Sequence, residues 1–134
     1  MPSTGTVAER TPFEAWEEEG VIRLVLCNAA EIDLQAMRAV LRHVRGLDPY
    51  GGVPVVVEQE ELVRMTPEAR TLLARSCRND ERPVAFVAYD LPDRIQGEFF
   101  ARFYQPHFPF RVCVSIDDAH RWIQAFSRLL RARG

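Results

Sequence analysis

Residues 53–89 read VPVVVEQEELVRMTPEARTLLARSCRNDERPVAFVAY, and this stretch decides the fold. The run Val53–Val57 is short and rich in β-branched residues, which is typical of a buried parallel strand. Thr66 followed by Pro67 predicts the start of a helix, because threonine is a favoured N-cap and proline a favoured first helical residue. The apolar run Val84–Tyr89 predicts a second buried strand. A strand, a helix and a strand in this order indicate a parallel β-α-β unit.

The residues before this unit extend the pattern. Two apolar segments, 13–16 and 21–27, are separated by a polar break that ends in Gly20, which predicts a β-hairpin. The second segment supplies apolar side chains to both faces, so we expect it to lie inside the sheet. From Leu34 to Leu47 the apolar residues recur at three- and four-residue steps, which predicts a helix that Asp33 can cap.

The residues after the unit repeat the alternation. A third helix is predicted from Pro92, a last strand over residues 110–114, and a final helix with Ser115 or Asp117 at its cap. The predicted order is therefore β-β-α-β-α-β-α-β-α. This order indicates an α/β fold with a mixed, mainly parallel five-stranded sheet that is covered by helices.

Length and composition predict one folded domain. The chain has 134 residues, of which 47% are hydrophobic and 27% charged, as in ordinary globular proteins. Residues 1–11 are rich in Ser, Thr, Gly and Pro, so we expect a flexible N-terminal leader there. The remaining residues 12–132 are predicted to form the single domain.

Charge and cysteine usage narrow the class of protein. The net charge of −2 removes the usual electrostatic basis for tight nucleic-acid binding. All basic residues are arginine, so no lysine is present to form a Schiff base. No apolar run approaches the ~20 residues of a membrane span. Cys27, Cys77 and Cys113 are an odd number at wide spacing, which favours neither a disulfide framework nor a zinc site. We therefore expect a cytoplasmic protein.

Aromatic residues are unusually dense in the C-terminal third. They are Phe99, Phe100, Phe103, Tyr104, Phe108 and Phe110. The four-residue steps of Ile95, Phe99 and Phe103 predict a buried helical face, whereas Phe100, Tyr104 and Phe108 are expected to point elsewhere. An exposed part of this set would form a surface for a partner or ligand. Alternatively, the proline-rich loop folds back over the helix and the aromatic residues form a second small core.

The predicted order with its opening hairpin resembles the STAS fold of bacterial anti-sigma-factor antagonists, the SpoIIAA-like proteins. The segment FFARFYQPHFPFRV at 99–112, followed by Asp117-Asp118-Ala119 and Trp122-Ile123, resembles small STAS/SEC14-like bacterial domains. The resemblance covers roughly residues 13–130. It implies the fold rather than an activity, because no activity defines that group and a fold alone does not determine one.

The same resemblance draws attention to Thr66. Anti-sigma antagonists are switched by a phosphorylated serine in an Asp-Ser-Ser-Gly turn at the start of the second helix. Here that turn is Arg64-Met65-Thr66-Pro67, so the motif is absent and a single hydroxyl stands at a similar topological place. Thr66 is therefore either a phosphoacceptor candidate or a plain helix cap.

No catalytic or metal-binding pattern is visible. A Gly-x-Ser-x-Gly elbow is absent, and His43, His107 and His120 lack the spacing of metal ligands. We accordingly predict no catalytic residue, no metal and no cofactor. A cleft joining His107, Arg111 and an acid such as Asp90 would instead indicate an enzyme.

The leading hypothesis is a non-enzymatic, cytoplasmic, regulatory module that binds another protein or forms a homodimer through the segment Phe99–Phe110. The alternative is a domain that holds a small, lipid-like apolar molecule between the third helix and the sheet, as the SEC14-like part of the resemblance implies.

Overall fold

A computed structural model describes residues 11–76 and 82–133. The predicted leader therefore lies almost wholly outside the described residues, as do Cys77 and the start of the polar turn before Val84. The elements in chain order are β1 Phe13–Glu18, β2 Val21–Leu26, β3 Glu31–Ile32, α1 Leu34–Leu47, β4 Val55–Gln59, β5 Arg64–Met65, α2 Pro67–Arg75, β6 Val84–Val87, α3 Leu91–Phe99, a π-helical turn Phe100–Tyr104, β7 Phe110–Cys113 and α4 Ile116–Arg133.

The main sheet has five strands in the order β1-β2-β4-β6-β7. β1 pairs antiparallel with β2, and every other pair is parallel. The hairpin turn consists of Glu19 and Gly20, both with positive φ (52° and 83°), as a tight turn that matches the twist of the strands requires. The predicted α/β fold, with its mainly parallel five-stranded sheet and opening hairpin, is confirmed.

The interior strands bury side chains on both faces because helices cover the sheet from both sides. Apolar residues of β2, β4 and β6 alternate between the faces: Leu24, Val55 and Val84 point to one core cluster, and Val21, Val56 and Ala85 to the other. The predicted interior position of β2 is confirmed, since it lies between β1 and β4.

Helices divide unequally between the two faces. α1, α2 and α3 lie on one face, which we call the cavity face, where Met37, Val40 and Val44 of α1 join the larger core. α4 packs on the opposite face, the α4 face, mainly over β6 and β7, with Ala119 and Ile123 buried. The sheet is thus the middle layer of the described residues.

A second, two-stranded parallel sheet joins β3 and β5 and was not predicted. Each strand has two residues, too few for a periodic signal in the sequence. This small sheet determines where two helices begin. Asp33 and Thr66, the N-caps of α1 and α2, directly follow its two strands. The Thr66 N–H also donates to the Ile32 carbonyl at 3.0 Å. The small sheet therefore holds the starts of α1 and α2 side by side.

Among residues 11–76 and 82–133, no helix combines the length and apolar character that crossing a membrane requires.

Candidate functional site

The region of interest begins where α3 meets the sheet. Asp90 caps the helix, its carboxylate accepting the Asp93 N–H at 2.9 Å. Two turns after the cap, Gly97 is buried against β6 and β7: a Cβ at this position would lie 2.8 Å from both Phe86 and Val112. Only glycine permits so close an approach of helix and sheet. Gly97 therefore fixes which side of α3 faces inward.

The inward side continues into the π-helical turn and the loop before β7. Phe100 and Phe108 are buried, with 7% and 6% of their surface exposed. Phe100 stacks on Tyr104 with ring centroids 5.8 Å apart and meets the edge of Phe110 at 5.1 Å. The loop is tied to α2 by a hydrogen bond of 2.8 Å from the His107 N–H to the Ala74 carbonyl. These contacts place aromatic side chains between α2, α3 and the sheet.

An apolar cavity of about 130 Å³ lies under this cover, partly open to solvent. It lies between the sheet and the helices, and α1, α2 and α3 all contribute side chains to its lining. Its apolar lining includes Leu24, Leu26, Val57, Leu73, Phe86, Phe100 and Phe108. A space of roughly this size has room for a benzene-sized group.

Polar groups lie around the edge of the cavity. The Gln59 side chain donates to Asp93 and to Gln96 of α3, each at 2.9 Å. Arg82 also lines the cavity and is buried; its Nε donates to the Val53 carbonyl at 2.8 Å, and its Nη2 lies 3.7 Å from the Asp48 carboxylate. These contacts hold both side chains in place.

The outward side of α3 and of the π-helical turn that continues it carries four apolar side chains at four-residue steps, which we call the outer stripe. The exposed fractions are 64% for Leu91, 59% for Ile95, 43% for Phe99 and 66% for Phe103. Phe99 and Phe103 also pack on each other, with ring centroids 4.4 Å apart. With side chains of this size, the stripe presents about 400 Å² of apolar surface.

The orientation predicted for the aromatic segment was wrong. Ile95, Phe99 and Phe103 share one helical face as expected, but that face is exposed, whereas Phe100 and Phe108 are in the core. The reason is the close approach at Gly97, which turns its own side of α3 inward and brings Phe100, three residues later, with it. The sequence did contain one signal of this orientation, because a glycine in the middle of a predicted helix, here Gly97, often marks a close contact.

Thr66 occupies a helix cap. Its hydroxyl accepts the Ala69 N–H at 3.2 Å, and Pro67 and Glu68 follow in the first turn of α2. Asp33 and Ser115 serve α1 and α4 in the same way. Nothing in these contacts tests phosphorylation of Thr66, which stays a prediction.

A polar network on the α4 face escaped sequence reasoning. Arg23 lies over the Trp16 ring and donates to both Glu18, at 3.2 Å, and Glu58. Glu18 also accepts from the Trp16 indole at 2.9 Å, and Glu58 from the Tyr89 hydroxyl at 2.6 Å. The network lies on the part of this face beside β1, away from the main contacts of α4 on β6 and β7.

The network displaces the pKa values of its members. The hydrogen bond from Trp16, assisted by Arg23, lowers the pKa of the Glu18 carboxyl. Burial opposes the charged form of Arg23, but hydrogen bonds and charges from Glu58 and Glu18 raise its pKa above the ordinary value. Burial and the hydrogen bond to Glu58 raise the pKa of Tyr89 to about 12. The pKa shifts of Glu18, Arg23 and Tyr89 therefore arise mainly from burial and from contacts within the network.

The residues proposed for an enzymatic cleft are not brought together. Arg111 lies opposite Ala85, near the start of β6 and β7, whereas Asp90 follows the other end of β6. In the described part of the chain, no group of three or more His, Cys, Asp or Glu side chains could hold a metal ion. Burial, with the nearby Asp118 carboxylate, raises the pKa of the Cys113 thiol to about 11.

Comparison with known proteins agrees with the fold. A solved structure of an uncharacterised protein of the DUF3478 family from Shewanella loihica PV-4, with a SpoIIAA-like fold, is similar over 83% of this chain and 91% of its own, at 8% sequence identity and a TM-score of 0.53. This likeness confirms the SpoIIAA-like fold expected from the sequence and concerns the fold alone.

No curated protein matches the sequence. A family model described as "Domain of unknown function (DUF7793)" matches residues 15–127, which is most of the chain. The chain therefore belongs to the DUF7793 family and has a SpoIIAA-like, STAS-type fold.

Proposed function

We propose that this protein is a non-enzymatic, cytoplasmic regulatory module of the STAS-like type that acts by binding a protein partner through the outer stripe. The single observation that carries the proposal is the exposure of Leu91, Ile95, Phe99 and Phe103 along one helical face. An apolar patch of several hundred Å² is costly to leave in water and commonly marks an interaction site. The partner is another protein or a second copy of this chain.

The structure around the stripe suits a docking surface. Gly97 and Phe100 anchor the opposite side of α3 to the sheet, so the stripe is presented on a supported helix rather than on a loop. A preorganised surface loses less conformational entropy on binding. Two aromatic side chains in the stripe, Phe99 and Phe103, are of the type that dominates interface energetics.

The test is capture of partners from the native cell extract with the tagged full chain, comparing three forms. The variant Ile95→Ser/Phe103→Ser should lose the partner, because it removes apolar area without touching the core. Leu129→Ser is the control, since Leu129 is equally exposed but lies on α4. Capture that is unchanged in the stripe variant, or lost equally in the control, would contradict the proposal.

Regulation through Thr66 rests on the family resemblance. A phosphate there would lie at the positive end of the α2 dipole, but it would also face Glu68 in the same turn. Intact-mass measurement of the protein purified from its native cell should show a phosphorylated fraction that disappears in Thr66→Val. Unmodified protein under all growth conditions would remove this element of the proposal.

The apolar cavity favours a second candidate function, the binding of a small apolar molecule. Its volume of about 130 Å³ and apolar lining fit an aromatic ring or a short alkyl chain better than a whole lipid. Toluene should raise the melting temperature of the wild type by preferential binding to the folded state. Leu73→Phe, which fills the cavity, should abolish the shift, while Leu129→Phe should retain it. An absent shift in the wild type would contradict this function.

A further inference from the structure

A row of charged residues borders the outer stripe. Arg94, Glu98 and Arg102 follow one another at four-residue steps beside Ile95, Phe99 and Phe103, and all three are exposed. Within the described residues none of the three forms an ion pair. The signs alternate along this flanking row, and their order determines which partner the stripe can face.

We infer that the partner of the outer stripe is a second copy of this chain, with the two α3 helices antiparallel across a two-fold axis. The inference rests on the proposed function, because it takes the outer stripe as the binding face. A two-fold interface brings the same patch of both copies together. The stripe must therefore be complementary to itself.

The flanking row provides that complementarity. A two-fold axis in the interface and perpendicular to the helices places the row of one copy beside the row of the other, running in the opposite direction. When the axis is level with Gln96, Arg94 of each copy faces Glu98 of the partner subunit, and both pairs are attractive. Arg94 and Glu98 are about 6 Å apart along each helix. Because this spacing is the same in both copies, the two pairs form together in one arrangement.

Other arrangements are disfavoured by the same charges. Parallel helices, related by an axis that runs along them, would place the two flanking rows on opposite sides of the interface, so Arg94 and Glu98 would not meet the partner's row and no attractive pair would form between the rows. Moving the axis to the level of Glu98 would bring the two Glu98 carboxylates together and Arg94 beside the partner's Arg102. An axis level with Phe100 would pair Glu98 with the partner's Arg102, but it would carry Leu91 and Ile95 of each copy beyond the end of the partner's stripe. Opposite charges therefore select the antiparallel direction, and the charges together with the length of the stripe select the register.

The stripe also matches itself in shape. Side chains at four-residue steps form a ridge, and two such ridges interdigitate when helices cross. In the selected register Ile95 lies between its own symmetry mate and Phe99 of the partner subunit, and Leu91 lies between Phe99 and Phe103 of the partner subunit. The stripe contributes about 400 Å² from each copy, against ~800 Å² in a stable interface. The dimer is therefore weak, and its population rises with protein concentration.

Sedimentation velocity of the full chain tests the inference. From low micromolar to near-millimolar protein, the wild type should pass from monomer to dimer. Arg94→Glu and Glu98→Arg should each weaken the dimer about tenfold or more, because two attractive pairs become repulsive. The double variant Arg94→Glu/Glu98→Arg should recover dimerisation, since it exchanges the signs within each pair.

Mixing the two single variants gives the sharpest result. In a heterodimer one copy presents two acidic residues and the other two basic residues, so both pairs are attractive again. An equimolar mixture should dimerise at concentrations where each variant alone is a monomer. Arg38→Glu on α1 controls for the change in net charge and should dimerise as the wild type does. Far-ultraviolet circular dichroism checks that every variant is folded.

Two outcomes would overturn the inference: a wild type that stays monomeric near millimolar concentration, or a dimer that is unaffected by the charge changes. Both leave the proposed function testable, since capture of a different protein that depends on Ile95 and Phe103 requires no dimer. If the wild type captures no different protein but still forms the charge-dependent dimer, the partner of the stripe is a second copy of this chain.

Discussion

The cavity face of the sheet is covered by α1, α2 and α3, whereas on the α4 face a single helix packs mainly on β6 and β7. The cavity face is apolar and incompletely filled, with about 130 Å³ of space between the sheet and α2. On the α4 face, the area near β1 carries the hydrogen-bonded polar network.

The two faces of one sheet are therefore stabilised in different ways, one by apolar packing and the other in part by paired polar groups. Apolar packing is non-directional and can tolerate a cavity, so the cavity face has room for a guest. On the α4 face, ion pairs and hydrogen bonds cover the part of the sheet beside β1. Each charged or polar side chain there needs its partner at hydrogen-bond distance. We therefore expect stability to depend on side-chain volume on the cavity face and on salt and pH on the α4 face.

The largest effect is expected from Phe100→Ala, which removes a buried ring beside an existing cavity. Loss of burial together with the enlarged cavity should lower the free energy of unfolding by about 3 kcal/mol or more. Phe103→Ala is the matched control, because Phe103 is exposed, and should change stability by about 0.5 kcal/mol or less. Urea unfolding measures both. Equal losses would mean that the inward and outward sides of α3 are assigned wrongly.

Gly97→Ala should have the next largest effect. The added methyl group would clash with Phe86 and Val112, and overpacking of this kind costs about 1–3 kcal/mol, partly offset by the better helix propensity of alanine. Gly46→Ala in α1 is the control, since no atom would lie within 4 Å of its new methyl group. Thermal unfolding should show opposite signs for the two substitutions. Stabilisation by both would contradict the close approach of α3.

Much of this fold was predictable because its signals are local. The Glu19-Gly20 turn, the caps Asp33 and Thr66, and the period of α1 all follow from residues adjacent in sequence. The direction that the outer stripe faces was not predictable from apolar spacing alone. It depends on the contact of Gly97 with two distant strands.

The site features show the same limit. The two-residue turn places Trp16 opposite Arg23, so this pair was within reach of the sequence. Glu58 and Tyr89 join it through the parallel pairing of β2, β4 and β6, whose register no turn specifies. The cavity likewise depends on side chains that helices and strands distant in the sequence bring together.

The third prediction concerns the ion pair between Arg23 and Glu58, which is mostly shielded from solvent. A double-mutant cycle with Arg23→Met and Glu58→Gln should give a coupling of about 1 kcal/mol, because each substitution removes a charged hydrogen bond at a site with little exposure to solvent. The coupling between Arg121 and Asp118, 4.0 Å apart on the exposed side of α4, should be about 0.3 kcal/mol or less. Equal couplings would show that the network is an ordinary surface feature.

The smallest effect is expected at Tyr89, where the folded state raises the pKa of the phenol to about 12 from its ordinary value of 10.0. A raised pKa means that the folded protein holds this proton more tightly than the unfolded chain does. The resulting stability is present below pH 10 and is lost as the pH rises towards 12. Because Tyr89 is more than half exposed, solvent screening reduces the contribution to a few tenths of a kcal/mol.

Tyr89→Phe should therefore be slightly less stable than the wild type at neutral pH, and the difference should shrink between pH 10 and 12. Absorbance at alkaline pH should show one of the three tyrosines ionising late in the wild type and not in the variant. If all wild-type tyrosines ionise together near pH 10, the hydrogen bond to Glu58 does not persist in solution. The polar network would then end at Glu58, and its pH dependence would rest on the Glu18 carboxyl, whose lowered pKa gives stability that is lost as the pH falls through it.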